Sequence, residues 1–232
     1  MEPFLAVLAL AGFVSMDTTA GPQLLISEPI VSCSVAGWLF GDVTTGVALG
    51  LLFQTLWIGY LPLGTVRFTD NNLGSLVATA SVLGAGAIYG FDDARLMAVF
   101  IPAMIYGVAI SVIGLHARSL VRRLNGIRTE RFYAALEHGE SPSVAKVHCA
   151  GIATSFGKGV VLAVVLLPIG IAGTGMIDLL PDAMTAAFAD GAHIIAGAAA
   201  ASAFLFYWKR KQYALMCLGA AGGLAWTLVM TG

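Results

Sequence analysis

Apolar residues run along this chain in long blocks separated by short polar links. One of the longest, Pro29 to Val66, carries a single charge, Asp42. A bilayer core is ~30 Å thick and a helix rises ~1.5 Å per residue, so about 20 residues cross it. The block exceeds one crossing and has to double back. The turn is expected at Gly41-Asp42-Val43-Thr44-Thr45-Gly46, where glycines supply backbone freedom and Asp42 a side-chain acceptor. The first arm, Pro29 to Gly41, is short for a full span and predicts a re-entrant half-helix. The second, Val43 to Val66, is long enough to cross, with Pro62 and Gly64 expected to end or kink it. Backbone breaks at membrane depth only where it is buried in protein or lines a wet cavity. Broken helices so placed are a feature of solute sites in transporters.

The remaining blocks follow in order. Pro3 to Met16 predicts a short span or a helix that dips part-way in, and a polar link, Asp17 to Ser27, comes next. Asn71 to Phe91 and Leu96 to Leu115 are spans, with Asp92, Asp93 and Arg95 in the turn between them. The long hydrophilic stretch His116 to His148 has Leu120, Leu124, Ile127, Phe132 and Leu136 at roughly helical spacing, which predicts an amphipathic helix on the membrane surface. Val147 to Ile177 contains Lys158 and is expected to break at Pro168, leaving Gly159 to Ile177 as the span. Gly191 to Trp208 and Gln212 to Gly232 complete six spanning runs beside two or three shorter pieces. No internal repeat is evident. The fold class is therefore an all-α integral membrane protein, a polytopic helix bundle with at least one re-entrant hairpin. It reads as a single membrane domain: 28–117 the hairpin and first spans, 118–147 a cytoplasmic amphipathic loop, 148–232 the last spans.

Composition supports this. The 232 residues are 58% hydrophobic and 11% charged, against about 25% charged in soluble domains, and the mean hydropathy is +0.87. Pairs such as Gly37/Gly41 and Gly46/Gly50 fit ordinary close packing of membrane helices. Arg118, Arg122, Arg123, Arg128, Arg131, Lys146 and Lys158, with Lys209-Arg210-Lys211, hold all but two of the 12 Lys and Arg residues. The positive-inside rule puts both groups in the cytoplasm, and the two crossings between them agree. No basic run suits nucleic acid. Cys33, Cys149 and Cys217 form no metal or disulfide pattern and are expected to be buried thiols. Nothing basic precedes the first apolar run, so a cleaved signal peptide is not expected.

An ionisable residue at membrane depth costs ~2.5–3.5 kcal/mol and invites a functional explanation. Asp42 fits either a cap on the second arm or a contact to a polar solute. Gln54 lies in an apolar helix, where its carboxamide can bond a neighbouring helix or both donate to and accept from a sugar hydroxyl. Trp57 fits a packed aromatic or a stacking face for a sugar ring. Arg67, Asp70, Asn71 and Asn72 follow the second arm and form a solvated loop or a polyol-binding cluster. His116, His138, His148 and His193 have no nucleophile or metal-ligand partners in register. No cofactor is expected and no catalytic set is visible.

Pro29, Cys33, Gly37, Gly41-Asp42, Thr45-Gly46, Gln54, Trp57, Gly59, Gly64 and Asp70 occur in an order that resembles the IIC subunit of the mannose/sorbose family of the bacterial phosphotransferase system (PTS). The match is best from Pro29 to Thr79 and collinear beyond. The resemblance implies a sugar-conducting subunit in the cell (inner) membrane that binds a hexose or amino sugar through Gln54, Asp70, Asn71, Asp42 and Trp57. It implies a IID membrane partner, a trimer of IIC–IID pairs, and soluble IIA and IIB subunits that relay phosphate on histidines. The sugar would be phosphorylated on release, and the basic loop would be a docking face for IIB. Three departures stand out. Gln54 replaces the family's usual Glu, Thr69 replaces a Pro before Asp70, and family members are expected to continue for about one more segment beyond Gly232. The first and last keep open a non-PTS transporter or a binding or scaffold subunit.

Overall fold

The computed structural model describes residues 2–21, 23–58, 69–205 and 212–231. Among these the chain forms nine α-helices: α1 (Glu2–Asp17), α2 (Pro29–Phe40), α3 (Val43–Trp57), α4 (Asn71–Tyr89), α5 (Asp93–Ala98), α6 (Phe100–Glu137), α7 (Val144–Gly175), α8 (Asp182–Leu205) and α9 (Gln212–Thr231). Three helical stretches are long and apolar enough to cross a bilayer: Asn71–Tyr89, Asp93–Glu137 and Val144–Leu179. The helices α2 and α3 are shorter apolar pieces. The expected spans Gly191 to Trp208 and Gln212 to Gly232 correspond to α8 and α9, and the parts of them at 206–211 and 232 lie outside the described residues. So do Pro62, Gly64, Arg67 and Lys209-Arg210-Lys211.

The chain doubles back where the glycines and Asp42 predict. Pro29 starts α2, where its missing N–H costs nothing. Gly41 ends it at φ 81°, a left-handed conformation open to glycine without strain. Asp42 then caps α3, its carboxylate accepting from the Thr45 amide at 3.0 Å. The arms close tightly because both are small at the crossing: a Cβ on Gly46 would stand 2.6 Å from the Cys33 carbonyl oxygen and 2.7 Å from Gly37 Cα. The paired glycines therefore serve packing within the hairpin.

The bundle is organised around α4. Its residues from Leu73 to Ala85 are buried without interruption, so it packs on all sides, and α1, α2, α3, α6 and α7 surround it. Val7, Val14, Leu73, Leu76, Val77 and Ile110 form the centre of one apolar cluster, and Leu49, Val82 and Val99 that of another. Gly12 accommodates the ring of Phe156, and Gly159 lies against Ala11 and Ser15, so α1 and α7 approach closely.

Two expectations are corrected. The hydrophilic stretch after His116 does not form a separate surface helix. It continues α6, which runs 38 residues from Phe100 to Glu137, and its apolar positions Leu120, Leu124, Ile127 and Leu136 are exposed. The helix stops only at His138, with Gly139 at φ 79°. Nor does Pro168 break the chain, since α7 runs through it from Val144 to Gly175. A membrane helix can run through a proline where its surroundings accommodate the freed backbone group, and Tyr106 of α6 ties α7 one turn away, its Oη donating to the Leu166 carbonyl at 2.6 Å. Of the cysteines, Cys33 is buried while Cys149 and Cys217 are exposed.

Gly46→Val should lower the unfolding midpoint of the purified protein, at a cost of about 1–3 kcal/mol, because the new side chain meets backbone that cannot yield. Gly86→Ala, with nothing within 4 Å of the added Cβ, should leave it unchanged or raise it. A static light-scattering melt in detergent distinguishes the two.

Candidate functional site

The open end of the hairpin, opposite the Gly41-Asp42 tip, is held by polar side chains. Glu28 is extended at φ −61°, ψ 134°, as a residue before proline must be. Gln54 Nε2 donates to Glu28 Oε2 at 2.8 Å, and Gln54 Oε1 accepts from the Ile30 amide at 3.3 Å. One carboxamide thus occupies an orphan N–H at the start of α2 and ties the end of α3 to it. Asp17, buried at the end of α1, accepts from the amides of Leu24 at 2.6 Å and Ser27 at 3.1 Å. These bonds draw Leu24 and Ser27 back onto the end of α1, with Gln23 at φ 55° and Leu25 at φ 62°. Strained backbone of this kind persists only where its surroundings hold it, and it clusters at functional sites.

On the facing side, Trp57 Nε1 donates to Ser75 Oγ at 3.0 Å, and Ser75 Oγ donates to the Asn71 carbonyl at 2.8 Å. Thr69 Oγ1 donates to Asn71 Oδ1. These groups enclose a cavity of about 290 Å³ whose lining includes Asp17, Thr18, Gln23, Glu28, Gln54, Trp57, Thr69, Asn71 and Asn72. Two carboxylates, four carboxamides, three hydroxyls (Ser27 being the third) and an indole meet there, and no cation lines it among the described residues. The volume lies at the lower end of small-molecule sites. Carboxylates accept, and carboxamides both accept and donate, which matches a neutral ligand rich in hydroxyls.

The five residues singled out from sequence separate into three places. Gln54, Trp57 and Asn71 share this cavity. Asp42 is at the other end of the hairpin, engaged in its cap, and is not among the lining residues. Asp70 is fully buried beside the cavity and is committed elsewhere. Its Oδ1 accepts from Arg118 Nη2 at 2.8 Å and its Oδ2 from Lys158 Nζ. The three side chains are 0%, 12% and 5% exposed, so the ion group is almost dry. It cross-links α4, α6 and α7, and Gly114 leaves the space that the Asp70 side chain fills.

Sequence reasoning missed Glu28 and Asp17, which sit in what looked like a connector. It also missed the pairing of Lys158 with Asp70, 88 residues apart. That signal was present: a lone lysine inside an apolar block requires a carboxylate, and the chain has few acids near membrane depth to offer.

The cavity thus lies at the open end of a broken hairpin. The family described as the PTS system sorbose-specific IIC component matches residues 3–219. The chain belongs to that family. Curated relatives of this IIC chain include the PTS system sorbose-specific EIIC component of Lacticaseibacillus casei, 26% identical over 86 residues, which cover 37% of this chain and 30% of that protein. The PTS system mannose-specific EIIC component of Escherichia coli (strain K12) is 21% identical over 160 residues, covering 68% of this chain and 56% of that protein. The matched regions thus span 30% to 56% of these relatives. In structure, the chain is similar to one in the cryo-EM structure of the mannose transporter ManYZ in complex with microcin E492 (MceA). The TM-score is 0.58 and the identity 17%, over 99% of this chain and 95% of that one. This likeness establishes the fold: an all-α membrane bundle with a broken hairpin.

Within the IIC fold the ion group should be the most sensitive single point. Asp70→Asn leaves two buried cations with no counter-charge and should cost about 3–5 kcal/mol. Lys158→Met leaves Asp70 and Arg118 one-to-one and should cost less. Thermal unfolding in detergent should order the midpoints wild type, K158M, D70N; a wild-type midpoint for D70N would show that the ion group does not hold the bundle.

Proposed function

We propose that this chain is the sugar-binding and sugar-conducting IIC subunit of a PTS permease in the bacterial cell (inner) membrane. The observation that carries the proposal is the meeting of Glu28, Gln54, Trp57 and Asn71 around one polar cavity where a broken hairpin opens inside an apolar bundle. The ligand class is a hexose or amino sugar. Acidic and carboxamide groups would take its hydroxyls, and Trp57 would offer a ring face. Glu28 supplies the strong acceptor that Gln54, in the place where the family more often has Glu, does not. Asp42 shapes the hairpin, and Asp70 positions the first residues of α4, including Asn71.

The subunit works with a IID membrane partner, in a trimer of IIC–IID pairs, and with soluble IIA and IIB. The basic stretch 118–147 faces the cytoplasm, where IIB would approach. IIC itself carries no phosphate and performs no catalysis; the sugar is phosphorylated by IIB as it leaves.

Gln54→Ala should reduce sugar binding by the purified IIC–IID pair at least tenfold, since it removes one contact and releases Glu28. Glu28→Gln should do the same while keeping shape. Calorimetric titration with a panel of hexoses and amino sugars, alongside expression and helical content, reads the effect. Wild-type affinity in both variants would remove this cavity from sugar recognition. Uptake should depend on phosphoenolpyruvate and vanish without IIB; uptake that persists without IIB would overturn the PTS reading.

A further inference from the structure

A second cavity has the opposite chemistry. It lies between the 18–20 turn, the polar half of α6 and the middle of α7, and measures about 270 Å³. Arg118, Arg122 and Lys158 line it together with Thr18, Thr19, Asn125 and Ser155, and no carboxylate does among the described residues. Two of these cations share one buried carboxylate, Asp70, so the group encloses a surplus positive charge. Arg118 Nε is also buried with no hydrogen-bond partner among the described residues. A buried donor on a charged group that stays unpaired is costly, and its usual explanation is a ligand or ion.

The surroundings add to the surplus. An adjoining cavity of about 410 Å³ shares Thr19, Ala20 and Asn125 and includes Arg128 and His148, again without a lining carboxylate. Arg128 bonds only neutral acceptors: Asn125 Oδ1 at 2.7 Å, Thr154 Oγ1 at 2.6 Å and the Ala150 carbonyl at 3.2 Å. With its oxygen taken by Arg128, Asn125 keeps its amide N–H groups for another acceptor. Guanidinium forks, an ammonium and a carboxamide around a small volume match a tetrahedral oxyanion of more than one charge.

We propose that this cavity binds a phosphate group. It is distinct from the sugar cavity, which is lined by Asp17 and Glu28 and would repel the same group. The two cavities meet at Thr18, which lines both, with the Asp70 ion group beside them. The phosphate group has two possible carriers, a soluble phosphate ester or an anionic lipid headgroup. The assignment rests on charge and geometry and does not require the permease reading.

The test uses the full chain, purified with its membrane partner into nanodiscs of zwitterionic lipid. Inorganic phosphate and glucose 6-phosphate are titrated by calorimetry, with glucose as the uncharged control. Parallel discs containing phosphatidylglycerol are melted for the lipid arm. The wild type should bind inorganic phosphate, and Arg122→Gln should weaken it about tenfold with no change in melting midpoint or in glucose binding, because Arg122 is exposed and makes no ion pair among the described residues. Arg122→Lys should restore part of the affinity. Tighter binding of glucose 6-phosphate than of inorganic phosphate assigns the site to a soluble ester. A midpoint raised only by phosphatidylglycerol, and lost in R122Q, assigns it to a lipid headgroup. Absence of both signals, or signals that R122Q leaves intact, overturns the site. Wild-type glucose binding in Q54A, with phosphate binding present and lost in R122Q, would sink the sugar cavity alone.

Discussion

Three helices of this bundle are tied by one carboxylate. Asp70 sits at the start of α4 and receives Arg118 from α6 and Lys158 from α7. Burying charges costs several kcal/mol per ion unless geometry and hydrogen bonds repay it, and removing a partner from such a group costs ~3–5 kcal/mol. Against a total stability of about 5–15 kcal/mol, that is a large fraction. Apolar packing in lipid does not by itself select one helix register, because hydrocarbon tails are as apolar as the side chains. The ion group does. It fixes the axial position of α4 against α6 and α7, and so fixes where Asn71 and Ser75 stand relative to Trp57 on α3.

The hairpin meets a second constraint, that no backbone polar group be left bare at membrane depth. Its closed end is satisfied by Gly41 in a left-handed turn and by the Asp42 cap. Its open end is satisfied by Gln54, which answers the Ile30 amide and the Glu28 carboxylate together. A side chain that holds a helix end and also lines a cavity links structure and recognition. A ligand that competes for Gln54 loosens the tie between α2 and α3, which is a physical route from binding to motion.

Much of this was legible in the sequence. The fold class and the doubling-back at Gly41-Asp42 followed from charge-free length and turn chemistry, while of the five residues that the family resemblance grouped, Gln54, Trp57 and Asn71 share one cavity and Asp42 and Asp70 do not line it. The capping role of Asp42 was one of two readings its position allowed. The end of α6 was misjudged because hydropathy reports environment, not helicity. The chain turns polar at His116 while nothing there stops a helix, and the stop comes at His138-Gly139. Pro168 was overrated as a breaker because a packed membrane helix can run through a proline, as α7 does from Val144 to Gly175. Glu28 and Asp17 were passed over as connector residues. The Asp70–Lys158 pair was hidden by distance along the chain.

The two cavities divide the available charge. Acids gather on the hairpin side, where Asp17 and Glu28 accept from amides and still face open volume. Bases gather on the α6–α7 side, where Arg118, Arg122 and Lys158 outnumber their one counter-ion. Thr18 lines both cavities, and the Asp70 group lies beside them. On the two proposals above, a neutral polyol would be favoured in the first place and would gain nothing in the second. The same molecule bearing a phosphate would be repelled from the first by two carboxylates and drawn to the second by surplus cations. Phosphorylation would then change which cavity holds the solute without any residue of this chain changing its charge. The direction of transport would follow from the electrostatics of two fixed sites, with the ion group that holds the bundle also setting the boundary between them.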